Sequence, residues 1–168
     1  MRERKRQFAD SEKELRSAVV MRRLEAEPHF AAAQTVLFYW AMADEVQTQA
    51  AVQKASEHKT VLLPCVDGDD LRLRQYTGTS SMAVGEQFGI GEPVGDEFTD
   101  LEKIDVVVVP GVAFDRDYNR MGRGRGYYDR LLRRMPHAFT IGVAYGFQMV
   151  DHVPTDDHDI ALNLVISD

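Results

Sequence analysis

Asp105-Val106-Val107-Val108-Val109-Pro110-Gly111 decides the fold, together with Asn119-Arg120-Met121-Gly122-Arg123-Gly124-Arg125-Gly126-Tyr127-Tyr128-Asp129-Arg130-Leu131-Leu132 shortly after it. Four consecutive valines stopped by Pro-Gly read as a short strand with both faces covered, the pattern of a parallel sheet between helices. The apolar spacing from Tyr127 to Arg134 reads as a helix start. Between strand and helix lie three glycines at alternate positions. With no Cβ atoms in the way, successive N–H groups can turn toward one anion while the interleaved arginines supply charge. A glycine-rich loop at a helix N-terminus favours phosphate, because free N–H groups and the helix dipole both attract negative charge.

Two plainer readings of the loop compete. Arginine–glycine segments that brush RNA are long and low in complexity, whereas this one is short and bounded by regular structure. A tight turn accounts for one or two glycines but not for three arginines. The charge distribution favours a small anion. The chain carries a net charge of −7, yet Arg120, Arg123, Arg125, Arg130, Arg133 and Arg134 fall within fifteen positions that hold one acid, Asp129. Base concentrated locally in an acidic protein fits a small phosphorylated ligand better than a coat of nucleic acid.

Working outward, Pro136 breaks the chain after the helix, Phe139–Ala144 reads as another buried strand, and Ala161–Ile166 as the last. On the other side, Thr77 to Phe98, with glycines at 78, 85, 89, 91 and 95, reads as a surface meander that could form part of a lid. Leu71–Tyr76 alternates as a half-exposed strand, Asp67–Asp70 is a turn, and Thr60–Val66 is a strand. Further back, a helix runs to about Glu57, preceded by a polar loop over Met42–Thr48 and a strand over Thr35–Trp40. Pro28 closes a helix over Lys13–Glu25, capped by Asp10-Ser11-Glu12 and carrying Leu15, Val19, Val20 and Leu24 at helical spacing. Arg2 to Phe8 looks like the end of a basic helix.

Strands alternating with helices predict a three-layer α/β sandwich, and 168 residues with 44% hydrophobic content suit one domain. The single cysteine, Cys65, rules out an intrachain disulfide and reads as a small buried apolar residue in a reducing compartment. No apolar run approaches the ~20 residues of a membrane span. The expected location is cytoplasmic.

In open α/β sheets the ligand crevice lies beyond the carboxyl ends of the strands, so Trp40 and Glu45 are candidates to face it. For Glu45 a second reading stands, that of a first-turn acid favouring the helix dipole. Asp156, Asp157, His158 and Asp159 with His152 suggest zinc only weakly, since zinc pairs are usually tighter and often include cysteine. Hard oxygen donors suit magnesium, which takes one or two carboxylates plus phosphate oxygens and water. Asp129, directly behind the loop, is the first candidate ligand and one of the later aspartates the second; Asp156 and Asp157 also read as a solvated turn.

These residues resemble the 5-formyltetrahydrofolate cyclo-ligase (methenyltetrahydrofolate synthetase) family. The matching pieces are Pro110-Gly111-Val112-Ala113-Phe114-Asp115, the stretch Asn119–Arg130, Glu45-Val46-Gln47-Thr48, Val153-Pro154 and His158-Asp159, in order from about Ser17 to Val165. The resemblance implies a Rossmann-like sandwich of the sugar-phosphate isomerase and CoA transferase type, mainly parallel. It also implies an ATP- and Mg2+-dependent ring closure of 5-formyltetrahydrofolate, with or without a polyglutamate tail, to 5,10-methenyltetrahydrofolate, releasing ADP and phosphate. By the same resemblance, ATP falls on Arg120, Met121, Gly122, Arg123, Gly124, Arg125, Gly126, Tyr127 and Tyr128. Folate falls on Trp40, Glu45, Arg123, Gly124, Arg125, Gly126 and Tyr127. Arg123 and Tyr127 are the expected catalytic residues, Asp129 and Asp159 the metal ligands. The expected partners are small molecules, with no nucleic acid and no membrane, and the enzyme is expected to be a monomer.

The chain departs from the family twice. Members usually begin with a Lys-x-x-Leu-Arg segment that reaches the nucleotide, and here Arg2, Arg4, Lys5 and Arg6 look like the turns that follow it. A truncated start and weaker ATP binding are therefore expected. Asn163 stands where the family often has aspartate, and it is left out of the metal set. A relative of the same fold that binds a phosphorylated ligand without ATP hydrolysis, and a non-catalytic nucleotide or RNA binder, remain the alternatives.

Overall fold

A computed structural model describes residues 9–79, 82–84 and 91–168. The basic start at Arg2 to Phe8 and parts of the Thr77–Phe98 meander lie outside the described residues. The first helix, α1, spans Asp10–Ala26, beginning three residues before the sequence suggests, with Asp10 and Glu12 in its first turn and Arg23 in its last to match the helix dipole. Its buried face is Ser17, Val20, Met21 and Leu24. Leu15, expected on that face, is 70% exposed. Pro28 opens an element rather than closing one: the Glu27 side chain accepts a hydrogen bond from the Phe30 amide, and Pro28 begins a short helix, α2, Pro28–Ala32.

The strand after it, β1, is only Thr35–Leu37, shorter than the run to Trp40 suggests. Phe38 still donates its amide to the Leu62 carbonyl at 2.9 Å, but the Tyr39 carbonyl then accepts from Thr48 Oγ1 at 2.7 Å and leaves the ladder. Helix α3, Gln49–Ala55, returns to β2, Thr60–Asp67, which turns at Gly68 (φ 61°) into β3, Asp70–Gln75. The described part of the meander holds a two-stranded antiparallel hairpin, β4 Met82–Val84 with β5 Gly91–Pro93. After a 3-10 turn at Leu101–Lys103 come β6, Val106–Val109, and a small antiparallel pair absent from the sequence reading, β7 Ala113–Phe114 with β8 Arg120–Met121. Helix α4, Tyr127–Arg133, then β9, Phe139–Ala144, and β10, Leu164–Ser167, complete the chain.

The main sheet runs β10-β9-β6-β1-β2-β3, parallel throughout except for β3. All four valines of β6 are buried. They alternate between two apolar clusters, Val106 and Val108 with residues of α1, α2 and α3, Val107 and Val109 with Leu131 and Leu132 of α4. The sheet therefore has helices on both faces. Burying these valines contributes roughly 6–12 kcal/mol before chain entropy is counted. Asp105, at the start of β6, pins β1 beside it by accepting from the amides of Gln34 and Thr35 at 2.9 and 3.0 Å. This parallel stacking sends the carboxyl ends of β1, β6 and β9 in one direction, and the residues singled out by sequence follow them.

Candidate functional site

The glycine stretch is not all loop. Arg120 and Met121 pair with β7, and the Val112 amide donates to the Met121 carbonyl at 2.7 Å. What holds this hairpin is Asp115, 1% exposed. Its Oδ1 accepts from the amides of Asp117 and Asn119, both at 3.0 Å; its Oδ2 accepts from the Val153 amide at 3.0 Å and Asn119 Nδ2 at 3.1 Å. Burial alone would raise its pKa, but these bonds outweigh burial and hold it below the usual carboxylate value. Asp115 thus ties the hairpin that delivers Arg120 to the segment that leads on to Asp159. Sequence reading passed it as one letter of a motif; a lone aspartate between strand-like residues gives no sign of four partners.

The loop proper is Gly122–Gly126. Gly124 (φ 96°) and Gly126 (φ 70°) adopt left-handed backbone that other residues resist, and Gly126 leads directly into α4. Gly122 leaves room for a neighbour: a Cβ there would sit 2.6 Å from Arg120 Nη1. The following helix has seven residues, so guanidinium charge and loop amides, more than a macrodipole, make this place attractive to an anion.

The arginines divide by surroundings. Arg120 lies over the Tyr128 ring at 5.4 Å. Burial lowers its pKa, and the charges of Asp129, Tyr128 and Asp159 oppose that shift. Arg123 pairs across 79 residues with Asp44, its Nη2 at 3.0 and 3.2 Å from the two carboxylate oxygens. Arg130 lies over the Tyr127 ring at 5.5 Å and donates to the carbonyls of Arg125, at 2.9 Å, and Asp69. Tyr127 Oη donates to the Gly68 carbonyl at 3.1 Å. The tip of the β2–β3 hairpin therefore flanks the loop on one side and the turn after β1 on the other.

That second turn carries Glu45, 8% exposed. Thr48 occupies the N-cap of α3, so Glu45 precedes the helix and the first-turn reading of it fails. Its Oε1 accepts from the Met42 amide at 2.8 Å and closes the turn. Its charge also reaches across to Tyr128, whose phenol is pushed up by burial first and by Glu45 second, with Arg120 opposing. Tyr128, on the candidate nucleotide segment, thus feels the charge of Glu45, on the candidate folate segment. Beneath Glu45 the polar groups are fully engaged: Tyr145 Oη donates to the Glu45 carbonyl at 3.0 Å, and Tyr39 Oη to the Val46 carbonyl at 2.9 Å. Trp40 is half-buried against the Tyr76 ring, centroids 5.7 Å apart, and leans on the core while leaving part of its face open.

Asp129 and Asp159 come from different segments and both act electrostatically on Arg120, while His152, His158 and Asp159 itself are exposed. Among the described residues no group of three or more His, Cys, Asp or Glu could hold a metal, so the zinc reading is dropped. Magnesium differs from zinc in taking only one or two carboxylates, with phosphate oxygens and water completing its shell, so a group of three protein ligands is not what that ion asks for. Asp156 belongs to a tight turn of its own, its Oδ1 accepting from the His158 amide at 2.7 Å and its amide donating to Asp159 Oδ2 at 3.0 Å. Asn163 Oδ1 accepts from the Thr140 amide at 2.8 Å, a latch between β9 and the approach to β10. A hollow of about 230 Å³ lies behind the loop, lined by Asp67, Arg72, Glu97, Leu131 and Arg134. Arg72 already pairs there with Asp67 and with Glu97, the latter at 3.1 Å, and the hollow does not reach the glycines.

Among the described residues no helix is long and apolar enough to cross a membrane. Residues 1–168 match the model of the 5-formyltetrahydrofolate cyclo-ligase family over their whole length. Curated relatives bearing the name 5-formyltetrahydrofolate cyclo-ligase include that of Haemophilus influenzae, 32% identical over 77% of this chain and 73% of its own. That of Escherichia coli K12 is 28% identical over 99% and 96%, and that of the mouse 25% identical over 99% and 89%. The solved structure of the Aquifex aeolicus 5,10-methenyltetrahydrofolate synthetase superposes with a TM-score of 0.85 at 33% identity, covering 98% of this chain and 84% of that one. A Mycoplasma pneumoniae synthetase shares the fold at a TM-score of 0.77 and 23% identity, covering 98% and 92%.

Proposed function

Because the chain belongs to the 5-formyltetrahydrofolate cyclo-ligase family and cyclises 5-formyltetrahydrofolate to 5,10-methenyltetrahydrofolate with consumption of ATP, we propose that the Arg120–Tyr128 segment is where the two substrates meet. The observation that carries this is the Arg123–Asp44 pair, which sets the glycine loop beside the turn bearing Glu45. ATP would lie with its phosphates along the amides of Gly122–Gly126 and the guanidinium groups of Arg120, Arg123 and Arg125, with Met121 and Tyr128 at its margin. The pteridine would lie between Trp40 and Glu45, its formyl group toward Arg123–Tyr127.

The formyl oxygen is a poor leaving group until it is phosphorylated. In the proposed sequence that oxygen takes the γ-phosphoryl group and ADP departs. N10 then attacks the formyl carbon, the C–O bond breaks with release of phosphate, and the N10 proton is lost to solvent. Positioning and charge stabilisation suffice for such a transfer. Arg123 supplies charge at the transferring group, Tyr127 borders it, and the buried Glu45 accepts a hydrogen bond from the pteridine. Asp129 and Asp159 would hold Mg2+, which when bound neutralises phosphate charge.

We further assign the sheet to the Rossmann-like type of sugar-phosphate isomerases and CoA transferases, which the order β10-β9-β6-β1-β2-β3 supports. The 168 residues are taken as one domain acting as a monomer in the cytoplasm on small molecules rather than nucleic acid. A heavy-oxygen label in the formyl group tests the chemistry. Its appearance in released phosphate is expected, and its retention in the folate or in water would refute phosphorylation of the formyl oxygen.

A further inference from the structure

Asp44 belongs to neither half of the site as read above, yet through it the two halves touch. It stands at the tip of the turn from Met42 to Gln47, and that turn is tied repeatedly. Besides the bond between Glu45 and the Met42 amide, Gln47 Nε2 donates to the carbonyls of Met42 and Glu45 at 3.0 and 2.7 Å. From α1, Lys13 Nζ donates to the Ala43 carbonyl at 2.7 Å. A carboxylate mounted on so constrained a turn is a fixed point. Arg123, by contrast, rises between Gly122 and Gly124, where backbone freedom is greatest. The side chain on the glycine loop takes its place from the carboxylate on the tied turn.

The manner of pairing matters more than its strength. Both side chains are 44% exposed, so the pair contributes little to stability. Both oxygens of Asp44 accept from the same nitrogen, Nη2, at 3.0 and 3.2 Å. A fork-on-fork pair would engage two nitrogens and close one edge of the guanidinium. Here the Nε and Nη1 donors have no protein partner among the described residues.

We propose that Asp44 is a positioning residue for the cyclisation. It holds Arg123 by Nη2 so that Nε and Nη1 are presented to the phosphoryl group as that group passes from ATP to the formyl oxygen. The inference rests on Arg123 meeting the transferring phosphoryl, and it adds the residue that aims it. A misplaced guanidinium loses transition-state contact more than ground-state binding, so the effect belongs in kcat.

Asp44→Ala, Asp44→Asn, Arg123→Ala and the double variant Asp44→Ala/Arg123→Ala form the test, followed by methenyl absorbance with 5-formyltetrahydrofolate and MgATP. Asp44→Ala should lower kcat about tenfold to a hundredfold, with both KM values changed less than about twofold. Asp44→Asn, which keeps one acceptor for Nη2, should fall between it and the native protein. In the Arg123→Ala background, Asp44→Ala should cost nothing further. The inference is overturned if Asp44→Ala keeps its kcat, if its loss lies in the KM for the folate alone, or if the same factor is lost again without Arg123. Full activity of Arg123→Ala by itself would instead strike the assigned role of Arg123, and Asp44 would then have nothing to aim.

Discussion

Replacing Asp115 by asparagine tests how the site is built. The native carboxylate accepts four hydrogen bonds, two at each oxygen, and is 1% exposed. Asparagine keeps the acceptor for the amides of Asp117 and Asn119 but turns an NH2 group toward the Val153 amide and Asn119 Nδ2. Two charge-assisted bonds are lost and the Val153 N–H, on a fully buried residue, is left facing a donor. At about 1.5–3 kcal/mol per bond to a charged group, the cost is about 3–6 kcal/mol. For a chain of this length that lowers Tm by roughly 6–24 °C.

The pH dependence of this loss has a definite sign. The folded carboxyl titrates below the ordinary value of an aspartate, because the hydrogen bonds to it outweigh burial. Its stabilisation is therefore present above the unfolded pKa and vanishes as pH falls through the folded one. The difference in Tm between native protein and Asp115→Asn should be constant from neutral pH down to about 5 and shrink below about 4. Calorimetry over that range, with the exposed Asp117→Asn as control, reads both quantities. A variant melting within about 2 °C of the native protein at neutral pH, or a difference that widens in acid, would refute the account of Asp115 as the joint of the hairpin.

Other expectations separate binding from folding. Gly122→Ala pushes a methyl group against Arg120 Nη1, a flexible tip that can swing away, so stability should change by less than about 1 kcal/mol while the KM for ATP rises about tenfold; a marked fall in Tm with unchanged KM would contradict this. Gly142→Ala is the opposite case. Its Cβ would lie 2.7 Å from both Leu162 Cδ1 and Phe114 Cε1 in the core, costing about 1–3 kcal/mol and roughly 2–12 °C of Tm by calorimetry, with the KM for ATP unaltered. Asp129→Asn should reduce turnover at least ~100-fold in the absorbance assay with Tm unchanged, and retained turnover would remove Asp129 from the metal site.

The fold was most legible where composition left no choice. Four valines in a row at 106–109 can be satisfied only by cover on both faces, and the alternation of Leu71-Arg72-Leu73-Arg74 shows one face in and one out, as observed. Ends were read less well, because tertiary contacts set them. β1 stops at Leu37 since Thr48 captures the Tyr39 carbonyl, and Pro28 opens a helix because Glu27 is free to cap it. Leu15 fits the helical period of α1 as well as Met21 does, and only packing tells which faces the sheet.

For the site, the expectation of an anion loop rested on glycines interleaved with arginines, and Gly124 and Gly126 take the left-handed angles that favour glycine. Contacts between distant segments were invisible. The Arg123–Asp44 pair spans 79 residues, Asp115 reaches 38 residues to Val153, and the charges of Asp129 and Asp159 act on Arg120 from different segments. Short two-residue strands such as β7 and β8 carry too little pattern to be read from composition.

The central claim is that the amides and guanidinium groups between Arg120 and Tyr128 receive the phosphates of ATP. Backbone amide chemical shifts followed during titration with a non-hydrolysable ATP analogue and Mg2+ test it most directly. The account predicts saturable shifts concentrated at Gly122, Arg123, Gly124, Arg125 and Gly126. Shifts that leave these five unmoved and gather instead around Arg72 and Arg134 in the hollow behind the loop would contradict it.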